Sequence, residues 1–339
     1  MTSLKEWIDI RVEDGNIDYF EYKNFSNIEK IGKGGYGIVE RANWIDGGIK
    51  VALKGLLNNS IDDNQKENFL RELKLLRQVN RHPNINRFLG VTKDPAHNNY
   101  IIVLQYANQG DLREYLEKNF PSLHWKDKIQ MALDITCGLK YLHSRQIIHR
   151  DLHAKNILAN NGSLMIADFG LSKHLTEIKS ESRLFGMYGY IEPLCYINNK
   201  YSKNEESDIY SLGVLFWEIS SGKPPFSEIS ILGIIEGIRE KPTENTPFEY
   251  QQLYENCWKK EPNQRPDIDE VYSVLDQLKS QFHNNEQVKV KTKNFDDLNI
   301  INSGLLTTEI SHDTNDSNIE NLDLQNGKDS KFFPFCSVY

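Results

Sequence analysis

A chain of 339 residues with 39% hydrophobic and 26% charged content fits a soluble globular protein, large enough for one big two-lobed domain or about two ordinary ones. Its net charge of −8 argues against non-specific binding to nucleic acid or to an anionic membrane. Cys137, Cys195, Cys257 and Cys336 are widely separated without CxxC or zinc-ligand spacing, no long apolar stretch occurs, and a cytoplasmic protein without a disulfide framework is expected.

Residues 1–26 mix WIDI with the aromatics Tyr19, Phe20, Tyr22 and Phe25, which predicts a short helix and a strand docking on the first lobe, with nothing catalytic. Next comes IGKGGYGIVERANW, in which Gly32, Gly34 and Gly37 spell GxGxxG. That motif alone also occurs in dinucleotide-binding folds, where a helix follows the glycines. Here Ile38, Val39 and Ala42 continue at strand spacing, and a second strand, IKVALK, follows a turn at Asp46, Gly47 and Gly48. A glycine loop between antiparallel strands suits a flap over phosphates, since larger side chains would keep backbone N–H groups off the phosphate oxygens. Tyr36 near its tip would cover a triphosphate.

Lys54 ends the second strand. The following helix is expected from Ser60 to about Asn80, with Ser60 and Asp63 as a capping box and Phe69, Leu73 and Leu76 as the buried stripe. Glu72 falls on that stripe. A carboxylate facing the core needs a cation, because stranding a buried charge costs about 3 to 5 kcal/mol, and Lys54 is the natural partner. RHPNINRFLGVT and YIIVLQYA read as two more strands that close a small antiparallel sheet.

Helices dominate after Asp111. Trp125 to His143 is amphipathic, and DIYSLGVLFWEISSG is apolar almost all round, a buried helix ending at Gly222 with Asp208 near its start. Between them lies IIHRDLHAKNILANNGSLMIADFG, a strand, turn, strand pattern. Pairing of the strands would bring Asn156 and Asp168 together with Asp151 just upstream, an oxygen set suited to a hard cation and a hydroxyl nucleophile.

HRDLHAKN followed by DFG, with the glycine loop and VALK upstream, resembles the eukaryotic protein kinase superfamily over about residues 27–282, and most closely its tyrosine-kinase-like branch. The resemblance implies an α+β, two-lobed fold, with a small antiparallel-sheet lobe carrying one helix at 27–106 and a larger, mainly helical lobe at 107–282. It implies that Asp151 orients and deprotonates the substrate hydroxyl. Asn156 and Asp168 would hold Mg2+, and Lys54, anchored by Glu72, would grip the ATP phosphates. ATP would lie among Ile31, Gly32, Gly34, Gly37, Val39, Ala52 and Leu158, with Leu104 as gatekeeper, Gln105 to Ala107 as hinge and Asp111 at the ribose. Asp208 would brace the loop near His149 and Arg150. The implied partners are protein substrates, with an activating kinase or autophosphorylation in trans.

Some positions depart from that pattern. Met187 stands where the family usually has Thr or Ser, and Leu194 replaces the Glu that normally pairs with the arginine matched by Arg265. Glu192, two residues back, is a candidate replacement. His153 stands where Ser/Thr members usually carry Lys, and Lys155 where many tyrosine kinases place Arg; the branch tilts the reading to Ser/Thr. Ser172, Thr176, Ser180, Ser182 and Tyr188 are the hydroxyls available for activating phosphorylation, expected within 176–188. The alternative to an active kinase is an ATP-binding pseudokinase scaffold, with a dinucleotide enzyme a distant third. Residues 283–339 are polar and expected to be a disordered tail. Phe332, Phe333 and Phe335 near its end suggest a docking segment.

Overall fold

A computed structural model describes residues 4–33, 37–56, 63–97, 99–174 and 186–282. In the first lobe β1 (Phe25–Lys33), β2 (Gly37–Trp44), β3 (Ile49–Leu56), β4 (Phe88–Lys93) and β5 (Tyr100–Gln105) form one antiparallel sheet in the order β1-β2-β3-β5-β4. Strand alternation sends Ala42, Val51, Leu53, Ile101 and Val103 to one face, where they pack with Phe25. Ala52, Ile102 and Leu104 point to the other face and join the main core with α2 (Asp63–Val79). Phe69, Leu73 and Leu76 of α2 are buried there as expected from their spacing. Ser60, half of the expected capping box, lies outside the described residues.

The N-terminal residues form α1 (Leu4–Glu13), whose Ile8 is fully buried, and then run along the outer edge of β4. Phe20 N–H donates to the Val91 carbonyl and Val91 N–H to the Asp18 carbonyl, both at 2.9 Å, so the edge strand's free groups are covered. This approach needs a glycine at 90: a Cβ there would sit 2.3 Å from the Asp18 carbonyl oxygen.

The second lobe is built from α3 (Leu112–Asn119), α4 (Trp125–Ser144), the short α5 (Leu194–Ile197), α6 (Glu205–Ser221), α7 (Ile231–Glu236), α8 (Phe248–Cys257) and α9 (268–282). Two short ladders lie against it: β6 (Ile147–Ile148) pairs with β9 (Lys173–His174), and β7 (Ile157–Asn160) with β8 (Ser163–Ile166). From Ser207 to Ser221 every residue of α6 is buried, and the helix stops at Gly222, whose φ of +68° is the left-handed cap that glycine accepts without strain. One acid inside this helix escaped the sequence reading. Glu218 is fully buried and takes Arg113 of α3 and the Tyr190 hydroxyl as partners, which offsets its desolvation. No helix among the described residues is long and apolar enough to cross a membrane.

Candidate active site

Lys54 lies in β3, which runs two residues past it to Leu56, and donates to Glu72 Oε1 of α2 at 2.6 Å and to Asp168 Oδ1 at 2.9 Å. One ammonium thus ties the sheet, the helix and the segment after β8 together. Burial opposes a charge on Lys54, yet Asp168 and then Glu72 hold its pKa above the ordinary lysine value. Burial likewise acts first on Asp168, and the Lys54 ammonium overcomes it, so that carboxyl lies below its usual range. Glu72 is the most deeply enclosed of the three, and burial carries its pKa upward against the pull of Lys54.

Asp208, at the start of α6, shapes the loop opposite. Its Oδ2 accepts the His149 backbone N–H and its Oδ1 the Arg150 backbone N–H, each at 2.8 Å, while His143 Nε2 lies 3.1 Å from Oδ2. These bonds hold Arg150 at φ +69°, a conformation that side chains other than glycine adopt at a cost. His149 is fully buried, and burial lowers its pKa. Its Nε2 lies 3.1 Å from the Ala167 carbonyl, and its Nδ1 accepts the Asp151 N–H at 3.4 Å, which fits a neutral ring protonated on Nε2.

Asp151 emerges from this braced loop. The Asn156 amide donates to its carbonyl at 2.8 Å and to its Oδ2 at 3.3 Å. Oδ1 is buried and has no hydrogen-bond partner; His153 Nε2 is 3.6 Å away. Gly186 faces Oδ1, and a Cβ there would come within 3.1 Å of it, at a φ of +123° that side chains rarely adopt. Oδ1 is thus enclosed between the His153 ring and the Gly186 backbone.

The β7–β8 register, Ile157 opposite Ile166, places Asn156 and Asp168 at the same end of the ladder, and Ala167 N–H donates to the Asn156 carbonyl at 2.8 Å. Asp168 sits at φ +62° and spends Oδ1 on Lys54 and the Gly170 N–H. Asn156 spends its Nδ2 on Asp151. Asp168 Oδ2 and Asn156 Oδ1 remain, an all-oxygen pair that suits a hard divalent cation completed by water and phosphate oxygens. Among the described residues no cluster of three His, Cys, Asp or Glu side chains offers a competing metal site.

The residues expected at the nucleotide lie on the sheet, on the segment after β5 and on β7. Gly32 is registered opposite Val39 across the β1–β2 ladder, and strand, not helix, continues beyond Gly37, so the glycines join two antiparallel strands. Gly34 and Tyr36 lie outside the described residues. Ala52 is paired with Leu104, and both are buried together with Ala107. Gln105 N–H donates to the Arg87 carbonyl. Ile31 is exposed, and Val39 packs on the core. Asp111 bridges to Leu158, although its Oδ1 caps α3 by accepting the Glu114 N–H at 2.9 Å.

The family model described as protein tyrosine and serine/threonine kinase matches residues 25–275. The chain belongs to that kinase family. Among similar proteins, R826 of Acanthamoeba polyphaga mimivirus, which carries a serine/threonine-protein kinase/receptor name, is 34% identical across 73% of this chain and 15% of its own length. The Dictyostelium discoideum serine/threonine-protein kinase drkA is 31% identical across 80% of this chain and 43% of its own. Serine/threonine-protein kinase STY17 of Arabidopsis thaliana is 28% identical, covering 82% and 49%. The chain thus spans less than half the length of each of these relatives.

The departure at Leu194 from the kinase pattern has a structural answer. Arg265 Nη1 donates to Glu192 Oε2 at 2.7 Å with both side chains fully buried, and Ser207 Oγ donates to Glu192 Oε1. Glu192 therefore occupies the role left open by Leu194. Met187 packs against the main core. Ser172 is removed from the set of accessible hydroxyls: it is fully buried and its Oγ donates to the His149 carbonyl at 3.1 Å. The Tyr188 ring is exposed, with its hydroxyl on the Ile229 carbonyl. Thr176, Ser180, Ser182 and the tail with Phe332, Phe333, Phe335 and Cys336 lie outside the described residues. Sequence reasoning also missed Lys203, whose Nζ donates to the Arg150 carbonyl at 2.7 Å beside Asp151; no motif marks it.

Proposed function

We propose that this chain is an active ATP-dependent protein kinase that transfers the γ-phosphate to Ser/Thr hydroxyls of protein substrates. The supporting observation is the coexistence of an assembled Lys54–Glu72–Asp168 triad with an Asp151 held in place by the Asn156 amide. In this reading the catalytic domain covers 27–282, with 1–26 as an extension and 283–339 as a polar tail.

Lys54 grips the phosphates while Glu72 keeps its ammonium in place. Ile31, Gly32, Gly34, Gly37, Val39, Ala52, Leu104, Gln105, Ala107, Asp111 and Leu158 enclose the nucleotide. The Asp151 carboxylate accepts the substrate hydroxyl's hydrogen, which orients the oxygen for attack. Asn156 Oδ1 and Asp168 Oδ2 would hold magnesium, which when bound neutralises charge on the transferring phosphoryl group. Ser/Thr preference is supported by the names of the relatives. Cysteine spacing without CxxC or zinc-ligand pairing supports a reducing compartment such as the cytoplasm. Phosphorylation within 176–188, by another kinase or in trans, is expected to raise activity; equal rates before and after phosphatase treatment would refute that.

The test is incubation with ATP, magnesium and a generic protein substrate, followed by phosphoamino-acid analysis. Phosphoserine and phosphothreonine are expected. Phosphotyrosine alone would overturn the specificity, and absence of transfer would leave the scaffold reading in its place.

A further inference from the structure

The Lys54–Glu72 contact joins two bodies, the sheet that carries Lys54 and the helix α2 that carries Glu72. Their relative placement sets whether the two side chains meet. Helix α1, remote in sequence from both, touches each of these bodies. On its α2 side the Trp7 indole lies under Lys74 Nζ at 5.3 Å and under the Arg77 guanidinium at 5.9 Å, measured to the ring centroid. On its sheet side Asp9 accepts Lys93 Nζ, at the end of β4, at 3.1 Å, and accepts the Tyr100 hydroxyl at the start of β5. Between these side chains Ile8 is fully buried in the main core.

The chain after α1 is anchored as well. Asn16 and Ile17 N–H groups both donate to the Arg11 carbonyl, turning the chain off the helix, and Asp18 to Phe20 then pair with Val91 of β4. Gly90 makes room for that pairing. A helix merely tethered to the surface would need neither a buried isoleucine nor a glycine at its strand contact.

We propose that α1 is a positioning brace for the Lys54–Glu72 pair, with Trp7 and Asp9 as its positioning residues. The inference rests on the kinase reading of that pair. By clamping α2 to the β4–β5 end of the sheet, α1 favours the arrangement in which Glu72 reaches Lys54, so its state sets the fraction of molecules competent for phosphoryl transfer.

The full chain and its Trp7→Ala, Trp7→Phe and Asp9→Asn variants are compared by steady-state phosphorylation, by thermal melting, and by amide hydrogen exchange resolved over 67–79 and over α6. Loss of the Trp7 contacts is expected to lower kcat about tenfold through the competent population. Exchange in α2 should rise while exchange in α6 stays at the parent level. Trp7→Phe, which keeps an aromatic face for both cations, should recover most of the rate, and Asp9→Asn, which keeps the shape and removes the charge, should shift rate and α2 exchange in the same direction. A rate that falls only with the unfolded fraction, or α2 exchange that rises no more than that of α6, overturns the brace. Absence of transfer by the parent would mark failure of the kinase reading itself, and the comparison of α2 with α6 exchange would still decide whether α1 holds α2.

Discussion

Replacing Glu192 by Ala removes the carboxylate that this chain sets against Arg265 in place of the residue at 194. Arg265 would keep its bonds to the carbonyls of Lys259, Glu206 and Lys260, at 2.8, 2.7 and 3.1 Å, and its stacking over Tyr210. It would lose its acid partner in a place where neither side chain has solvent access. Breaking a buried pair from one side costs about 3 to 5 kcal/mol, and the surviving carbonyls put this case at the lower end, about 3 kcal/mol. For a domain of this size that corresponds to a fall in melting temperature of roughly 6 to 12 °C. Thermal denaturation of parent, Glu192→Ala, Arg265→Met and the double variant measures it, and the double-mutant cycle isolates the coupling between the two residues. A melting temperature within error of the parent, or additive single effects, would refute the pairing as a stabilising device.

Asp208→Asn should change the acid limb of stability. Burial raises the Asp208 pKa, but hydrogen bonding from His143 and the catalytic-loop N–H groups outweighs it, so the folded value lies below 3.8. A carboxyl depressed in this way stabilises the fold above its unfolded pKa, and the contribution is lost as pH falls through the folded value. The parent's melting temperature should therefore drop below about pH 4 more steeply than that of Asp208→Asn, which has no such proton to take up. Parallel profiles for the two proteins would count against the bracing role. Gly90→Ala drives a Cβ onto the Asp18 carbonyl and should cost about 1 to 3 kcal/mol in denaturant unfolding; an unchanged midpoint would mean that the N-terminal segment leaves β4 freely.

Much of this was legible because the signals are local or carry a strong energetic demand. Glu72 on an apolar helical stripe required a cation, and Lys54 was within the reach of a strand and a connection. The glycine motif could be told from a dinucleotide turn because strand residues follow it. Glu192 could be named because Arg265 needed an acid once Leu194 had been noticed. What stayed hidden depends on distant parts of the chain meeting. Glu218 sits mid-helix among apolar residues, and its partner Arg113 is 105 residues away, so only the packing of α3 against α6 reveals the pair. The sequence of α1 predicts docking on the first lobe, but its contacts with both α2 and the sheet involve residues far along the chain. Ser172 looked like any activation-segment hydroxyl until its bond to the His149 carbonyl showed it to be structural.

The measurement closest to the central claim compares the parent with Asp151→Asn for phosphoryl transfer to a protein substrate in the presence of ATP and magnesium, alongside nucleotide affinity. The substitution removes the base but keeps the side chain's size, so transfer should fall by about two to four orders of magnitude while nucleotide binding stays close to the parent's. Equal transfer rates in the two proteins would contradict the assignment of Asp151 and the mechanism built on it.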